Sequence, residues 1–380
     1  MVYLDNAATS GIKPESVYTA VDHALRCCSG NPGRSGHSLS VAAGRIVEDA
    51  RIALAGFFGA QDPSEICFTG NATAALNTAI LGTVNPGDHI ITSSLEHNSV
   101  SRPLEYLKTL DCSLSVLPAS VETGVDPEDV RRAVRGNTSL VVINHISNVT
   151  GTVNDICAIG EICRSYGITF LADAAQSAGS ADIDVRKCQI DMLAFPGHKG
   201  LLGPQGTGGL YVRKDIPIRP LIRGGTGSFS EQLTQPTERP GALESGTLNV
   251  PGIAGLAAGA AFIREVGIRN IHDKEQRLRL RILHGLKEIP GVRLYSPSEQ
   301  ADAGSVNSFT MEGFEPSDIA MMLDASFGIA VRSGLHCAPY AHNMLGTISS
   351  GGTVRVSPGF FTTDEEIDIF TDAIRELSKI

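Results

Sequence analysis

Short apolar runs alternate with longer amphipathic segments between residue 64 and residue 196. The apolar runs occupy residues 66–68, 89–92, 113–117, 140–144, 168–172 and 192–194. The spacing of apolar residues between them predicts helices at 72–83, 98–110, 126–135 and 154–166. Repeated strand–helix–strand order predicts an α/β fold with a large, mostly parallel sheet and helices on both faces. Ligands of such sheets bind at the carboxyl ends of the strands, so candidate functional residues are sought there.

The pattern changes after a loop-rich stretch at 213–247. Long helices are predicted at 252–266 and 273–288, and a last helix is predicted from Asp364. Strands are predicted near 292–294, 306–310, 329–332 and 354–356. We therefore expect a second, smaller α+β domain at the C-terminus. The predicted division is a segment at 1–15 that joins the small domain, a large domain at 16–250 and the small domain at 251–380.

Composition narrows the functional classes. The 380 residues carry a net charge of −10, which is the wrong sign for gripping nucleic acid by bulk charge. No signal peptide opens the chain, and the longest uncharged run, 248–263, is too short to span a membrane. None of the eight cysteines forms a C-x-x-C pair. We expect a cytoplasmic protein with free thiols, seven of them small core residues, and no membrane contact.

The motif that carries most chemistry is an apolar strand that ends at Asp173, followed 26 positions later by Lys199. A lysine can form a Schiff base with pyridoxal phosphate, and a carboxylate can keep the pyridine nitrogen of that cofactor protonated. The alternative is that Asp173 caps a helix and Lys199 is a solvated surface cation.

Other predicted strand ends add polar groups to the same edge of the sheet. Residues 69–75 join a strand to a helix through small residues, and a helix N-terminus can bind phosphate. Glu96-His97-Asn98 and His145-Ile-Ser-Asn148 follow two further strands. His97 alone could equally be a hydrogen-bonded structural residue.

Cys337 stands out among the cysteines because two residues that can carry positive charge, Arg332 and His336, lie close to it in sequence. Such neighbours favour the reactive thiolate form, although a buried, inert cysteine is the commoner case. Arg355 can bind a substrate carboxylate with its planar guanidinium, or it can be an edge-strand charge.

Taken together, these motifs resemble the cysteine desulfurases, which are PLP enzymes of the class V aminotransferase group with the type I fold of PLP-dependent transferases. The resemblance runs from Tyr3-Leu-Asp-Asn-Ala-Ala-Thr9 to the last helix. It rests on the motifs Glu96-His97, Asp173-x-x-Gln176, Gly197-His-Lys199, Gly246-Thr-Leu-Asn249 and Arg332-Ser-Gly-Leu-His-Cys337. The last motif resembles the branch that includes sulfur-mobilisation desulfurases and selenocysteine lyases.

The resemblance implies a role for each matching residue. Lys199 would bond to PLP, Asp173 would pair with its pyridine nitrogen, Gln176 would approach its ring oxygen and His97 would stack on the ring. The phosphate would be held by Ala72, Thr73, His198 and, from a partner subunit of a homodimer, Thr247. The substrate L-cysteine would be bound by Asn148, Arg355 and Arg332, with Asn148 also near the cofactor. Cys337 would accept the sulfur as a persulfide, for delivery to a sulfur-acceptor protein.

Two departures and three alternatives accompany this resemblance. Pro196 stands where the family usually has serine, which removes a hydroxyl and a backbone donor from the phosphate site, and Leu335 replaces a histidine common in this branch. The alternatives are a selenocysteine lyase, a PLP aminotransferase or β-lyase in which Cys337 is structural, and a non-catalytic sulfur carrier that has kept the fold.

Overall fold

The computed structural model describes residues 1–33, 35–227 and 231–379. Its strands are β1 Val2–Tyr3, β2 Ile66–Thr69, β3 His89–Ser93, β4 Ser113–Leu117, β5 Thr138–Asn144, β6 Thr169–Asp173, β7 Met192–Pro196, β8 Gly208–Val212, β9 Val292–Leu294, β10 Asn307–Met311, β11 Ile329–Ala330, β12 Arg332–Gly334 and β13 Thr353–Val356. Its α-helices are α1 Glu15–Cys27, α2 Ser38–Phe58, α3 Ala72–Thr83, α4 Asn98–Lys108, α5 Pro127–Ala133, α6 Ile156–Tyr166, α7 Val250–Val266, α8 Ile268–Lys287, α9 Pro316–Phe327, α10 Pro339–Leu345 and α11 Asp364–Leu377.

The main sheet has seven strands in the order β2-β8-β7-β6-β5-β3-β4. The pairs from β7 to β4 are all parallel, whereas β8 runs antiparallel to both of its neighbours. The inner strands β3, β5, β6, β7 and β8 are mostly buried, as expected for a sheet covered on both faces, whereas the edge strand β4 is only partly buried. This arrangement confirms the predicted α/β class and brings the carboxyl ends of β5, β6 and β7 side by side.

Each face of this sheet is covered by its own apolar cluster. One cluster packs α2, α6 and α7 against the sheet, with Phe58, Phe170 and Phe195 at its centre. The other packs α3 and α4 on the opposite face around Leu76 and Val142. The sheet is thereby fixed from both sides, so the loops at its carboxyl edge start from a rigid base.

The C-terminal part contains a four-stranded antiparallel sheet in the order β12-β13-β10-β9. Helices α8, α9 and α11 pack on it around a third apolar cluster that includes Phe309 and Phe370. The N-terminal strand joins this part, because Val2 pairs with Ile329 and Leu4 is fully buried in the same cluster. The domain boundaries given above stay a prediction.

Most elements predicted between residues 64 and 196 lie within two residues of their observed bounds. The helices α1 and α2 precede the stretch in which the pattern was analysed, and they were missed along with α9, α10 and β8. The strand predicted at 329–332 is split into β11 and β12, which belong to different sheets. The stretch 213–247 is irregular apart from a short 3-10 helix at Gly241–Leu243 among its described residues, and residues 228–230 lie outside them.

The cysteine prediction needs correction. Cys157 and Cys188 form a disulfide between α6 and the segment that precedes β7, so the cysteines are not all free thiols. Cys27 is exposed rather than a core residue. Among the described residues no single helix is long and apolar enough to cross a membrane; α7 and α8 meet that criterion only as a pair, bent by 84° at their junction.

The contact between α6 and the segment before β7 leads to a stability prediction. A Cβ added at Gly160 would lie 1.9 Å from the carbonyl oxygen of Cys188, so Gly160→Ala should lower the free energy of unfolding by about 1–3 kcal/mol or more. Gly44 in α2 has nothing within 4 Å of an added Cβ, and Gly44→Ala should raise stability by up to about 1 kcal/mol. Urea unfolding compares the two; equal shifts would contradict this packing.

Candidate active site

A cavity opens at the carboxyl ends of β5, β6 and β7, beside the N-terminus of α3. Eight of the residues singled out from the sequence line it together: Ala72, Thr73, His97, Asn148, Asp173, Gln176, His198 and Lys199. Pro196, the last residue of β7, also lines it. The predicted edge of the sheet is therefore the place where the chemistry-bearing side chains converge.

The cavity holds one acid and one amine whose pKa values are moved toward neutrality. Asp173 is buried at the end of β6, and its Oδ1 accepts a hydrogen bond from the backbone N–H of Ala175 at 2.8 Å. Burial raises the pKa of Asp173 to about 6, against the effects of that bond and of Lys199. Burial, together with the charge of Arg355, lowers the pKa of Lys199 to about 8. At neutral pH the aspartate is mostly ionised and the lysine can exchange its proton readily.

A chain of hydrogen bonds connects the N-terminus of α3 to His97. Asn71 caps α3 by accepting from the backbone N–H of Ala74 at 2.9 Å, while the first amides of the helix have no intrahelical acceptor. Thr73 Oγ1 lies 2.7 Å from Ser99 Oγ, which lies 2.9 Å from His97 Nδ1. The first amides of α3, which have no intrahelical acceptor, suit this end of the cavity to an anion.

His97 is neutral in this setting. Its Nδ1 accepts a hydrogen bond from the backbone N–H of Ser99 at 3.0 Å, so the ring proton is on Nε2. Burial, with the nearby charge of Lys199, lowers the pKa of His97 to about 4. His97 also begins α4 as its N-cap residue, which fixes the ring at the cavity wall.

Three further cavity residues differ in whether their polar atoms have hydrogen-bond partners. Gln176 Nε2 donates to the carbonyl oxygen of Ala7 at 3.0 Å, which ties the cavity to the N-terminal segment. His198 Nδ1 is buried without a hydrogen-bond partner among the described residues, and so is Asn148 Oδ1. Buried polar atoms without partners are rare, and here they mark a place for a polar ligand.

Arg355 lies next to this cavity on β13. It is 1% exposed; one terminal nitrogen donates to Asp5 Oδ1 at 2.7 Å and the other donates to the carbonyl oxygen of Asn148 at 3.1 Å. Its Nε is buried and has no hydrogen-bond partner among the described residues. The guanidinium is therefore held by two groups and keeps N–H donors for a third.

Cys337 is exposed and lies in a turn that follows β12. The backbone φ angles of His336 and Cys337 are +47° and +58°, a left-handed conformation that costs non-glycine residues roughly 1–3 kcal/mol each. The turn is fastened to the cavity: Asn148 Nδ2 donates to the carbonyl oxygen of His336 at 2.7 Å, and the backbone N–H of Asn98 donates to that of Cys337 at 2.6 Å. Strain kept in place by neighbouring contacts is typical of functional sites.

Cys337 was expected to be reactive because Arg332 and His336 are close to it in sequence, and the structure corrects the part of this argument that concerns His336. His336 Nε2 donates to the carbonyl oxygen of Thr353 at 3.1 Å, and burial lowers the pKa of His336 to about 2. The imidazole is neutral at physiological pH, so it brings no positive charge to the thiol. Arg332 does, since its Nη2 lies 3.6 Å from Cys337 Sγ.

Thr247 is not part of the cavity. It is exposed and lines a separate depression with Thr69 and Gly70. Within one chain, Thr247 therefore does not reach the phosphate site. The prediction was that it reaches the phosphate site of a partner subunit.

Sequence reasoning missed two residues that hold the site together, Asp5 and Ser99, and it gave no role to Glu96. Asp5 appeared only as a letter of the opening motif, with no indication that it would meet Arg355. Ser99 lies in the first turn of α4, where no sequence signal indicated that its hydroxyl would lie between Thr73 and His97. Glu96 is buried, accepts from the backbone N–H of Asn144 at 3.0 Å, and has its pKa raised to about 8 by burial. No cluster of three or more metal-ligating side chains occurs in the described part of the chain.

Comparison with known proteins identifies the family. The model of the aminotransferase class-V family matches residues 2–370. A probable cysteine desulfurase from Methanothermobacter thermautotrophicus is 36% identical, over 99% of this chain and 94% of its own length. The cysteine desulfurase IscS of Photorhabdus laumondii is 35% identical, over 99% and 92%.

Solved structures agree with the relatives. An apo cysteine desulfurase from Thermococcus onnurineus superposes with a TM-score of 0.93 at 35% identity, covering 100% of this chain and 94% of that one. The Escherichia coli cysteine desulfurase CsdA, in its S-sulfonic acid form, gives 0.87 at 28% identity, covering 100% and 94%. The chain belongs to the class V aminotransferase family. Its similarity to cysteine desulfurases over essentially its full length confirms the resemblance drawn from the motifs.

The contact between Asp5 and Arg355 generates a stability prediction. Asp5→Asn leaves a buried guanidinium without its counter-charge and should lower the free energy of unfolding of the cofactor-free protein by about 1–3 kcal/mol. Asp22→Asn, which breaks the exposed pair with Arg26, should change it by less than about 1 kcal/mol. Urea unfolding measures both, and an Asp5→Asn variant as stable as Asp22→Asn would contradict the assigned pairing.

The contact between Arg332 and Cys337 predicts a change in thiol reactivity. Arg332→Gln removes the positive charge beside Sγ and should slow alkylation of Cys337 by iodoacetamide several-fold at neutral pH. Cys27 is also exposed and serves as an internal reference, and Arg102→Gln on α4 is the control variant. Peptide mass spectrometry gives the ratio of the two rates; a ratio unchanged by Arg332→Gln would count against the contact.

Proposed function

We propose that this protein is a PLP-dependent cysteine desulfurase that converts L-cysteine to L-alanine and takes the sulfur onto Cys337 as a persulfide. The observation that carries the proposal is the attachment of the Cys337 turn to the cavity that contains Lys199 and Asp173. Asn148 lines that cavity and also holds the carbonyl oxygen of His336. The names of the full-length relatives support the same activity.

The residues of the cavity fit PLP. Lys199 would hold its aldehyde carbon, Asp173 its pyridine nitrogen, Gln176 its ring oxygen and His97 the face of its ring. The phosphate would lie at the start of α3, with Thr73 and the unpaired Nδ1 of His198 nearby. When bound, PLP supplies an electron sink for charge that develops on the substrate carbon atoms.

The side chains of this chain would then perform four tasks. Arg355 and Asn148, with Arg332 close by, bind the carboxylate of L-cysteine. Lys199 takes and returns a proton at the substrate Cα, which its pKa of about 8 makes feasible at neutral pH. Asp173 supplies a fixed negative charge. Arg332 places a positive charge 3.6 Å from Cys337 Sγ.

The sulfur transfer balances without another reactant. The thiolate of Cys337 forms a bond to the substrate sulfur as the bond from that sulfur to Cβ breaks, and the electron pair of the broken bond stays on carbon. Proton uptake there completes alanine, and the products are alanine and the Cys337 persulfide. A sulfur-acceptor protein would remove the persulfide and restore the thiol.

The same proposal includes a homodimer. The exposed position of Thr247, outside the cavity of its own chain, suits a residue that completes the phosphate site of a partner subunit. We also propose that residues 1–15 act with the small domain at 251–380, since Asp5 and Arg355 meet there, while residues 16–250 supply the cofactor cavity.

The function is tested by Cys337→Ala with L-cysteine and a reductant. Alanine and sulfide formation should fall by at least about a hundredfold, because no thiolate remains to take the sulfur. Cys27→Ala, which removes another exposed thiol, should retain parental rates. Unchanged alanine formation in Cys337→Ala would refute the acceptor role, and turnover of selenocysteine alone by that variant would favour a selenocysteine lyase.

A further inference from the structure

A second cavity lies next to the cofactor cavity. Lys199 and Gln176 line both of them. The second cavity is otherwise formed by the N-terminal segment, α8, and the loop between β13 and α11, and none of the residues proposed to bind the carboxylate or to accept the sulfur lines it.

Glu275, on α8, is the unusual residue of this cavity. Its side chain is 9% exposed and lines the cavity, yet its carboxyl group has neither a hydrogen bond nor an ion pair within the described parts of the chain. The nearest compensating charge is that of Lys274. The ammonium of Lys274 lies instead over the ring of Phe360, at 5.0 Å from its centre. A buried carboxyl group without a partner is costly, and such groups occur where a ligand supplies the missing contact.

The remaining wall is partly apolar and partly polar, and its apolar part is mainly aromatic. Phe360 and Phe361 meet edge to face with ring centres 5.1 Å apart, and Phe361 stacks on Phe262 at 5.9 Å, so the aromatic wall is held in place. Ile12 and Leu202 complete it. The cavity therefore offers an aromatic surface together with the unpaired carboxyl group of Glu275, a combination that suits a small molecule with an apolar and a charged part.

We propose that this second cavity binds a small organic cation, with its ammonium group on Glu275 and its apolar body against Phe360 and Phe361. The charge of the ligand is argued from the two carboxyl groups that line the cavity, Glu275 and Glu366, which disfavour anions; the one cationic side chain of the lining, Lys199, is the residue proposed to bond to PLP in the holoenzyme. Burial raises the pKa of Glu275 to about 8, and a bound cation would favour the ionised form. Because Lys199 and Gln176 line both cavities, the proposed site adjoins the cofactor cavity. The inference does not depend on the sulfur chemistry of Cys337.

The test uses N,N-dimethylphenethylamine and isothermal titration calorimetry of the holoenzyme. This amine is a cation at neutral pH, and because it is tertiary it cannot form an imine with an aldehyde, so reaction with the cofactor does not confuse the result. We expect saturable binding that Glu275→Gln weakens about tenfold or more, because a charge-assisted contact is lost. Glu288→Gln, at the exposed C-terminal end of α8, is the matched control and should bind like the parent. The oppositely charged 3-phenylpropionate should bind at least about tenfold more weakly.

Further measurements keep the result unambiguous. Without the probe, Glu275→Gln should melt at or above the parental temperature, since it removes an unpaired buried acid. Phe361→Leu should also weaken binding of the amine. Cys337→Ala should bind it as the parent does, so that failure of the desulfurase proposal remains separate from failure of this one. Absence of saturable binding, equal binding by Glu275→Gln, equal binding of 3-phenylpropionate, or a lower melting temperature of Glu275→Gln would each overturn the proposal.

Discussion

The contact that the site depends on most is the one between Arg355 and its two anchors. Asp5 Oδ1 accepts from it at 2.7 Å and the carbonyl oxygen of Asn148 at 3.1 Å. Asp5 follows β1, Asn148 lies in the loop after β5, and Arg355 lies on β13. These three segments are distant in sequence. One guanidinium, 1% exposed, therefore fixes the cavity of the large sheet relative to the small sheet. Because a buried charge is stable only when it is paired, the pairing constrains all three segments at once.

The pairing of β12 with β13 places a second positive charge beside Arg355. Arg332 on β12 lies directly opposite Arg355 on β13, an arrangement that like charges disfavour unless anions are near. Asp5 supplies one of these anions permanently. In the proposed reaction the substrate carboxylate and the Cys337 thiolate would supply the others. The strained turn at His336 and Cys337 keeps the thiol beside this charge. The thiol is therefore oriented before substrate binds and does not have to be oriented during turnover.

The sequence was sufficient to predict those helices and strands whose signals lie within the element itself. Helix α3 was predicted at its observed bounds from the spacing of its apolar residues. The convergence of Asp173, His97 and Lys199 was predictable because the carboxyl ends of parallel strands share one edge. The main helices and strands of the second half were likewise visible in their periodicity.

What could not be predicted depends on contacts between distant residues. Nothing near Asp5 indicates its bond to Arg355, 350 positions away. The neutral state of His336 follows from burial against Thr353, whereas its closeness to Cys337 in sequence suggested a charge. Cys157 and Cys188 are 31 residues apart and meet only because α6 packs on the segment before β7. Burial, not residue type, decided each of these cases.

The central claim is that sulfur passes from a substrate held at the Lys199 cavity to Cys337. The most direct measurement is peptide mass spectrometry of the holoenzyme after brief exposure to L-cysteine labelled with a heavy sulfur isotope, with alkylation in place of reduction. The account predicts one labelled sulfur on the peptide that contains Cys337 and none on the peptide that contains Cys27. Label on a different cysteine, or labelled sulfide and alanine with no labelled Cys337, would contradict it.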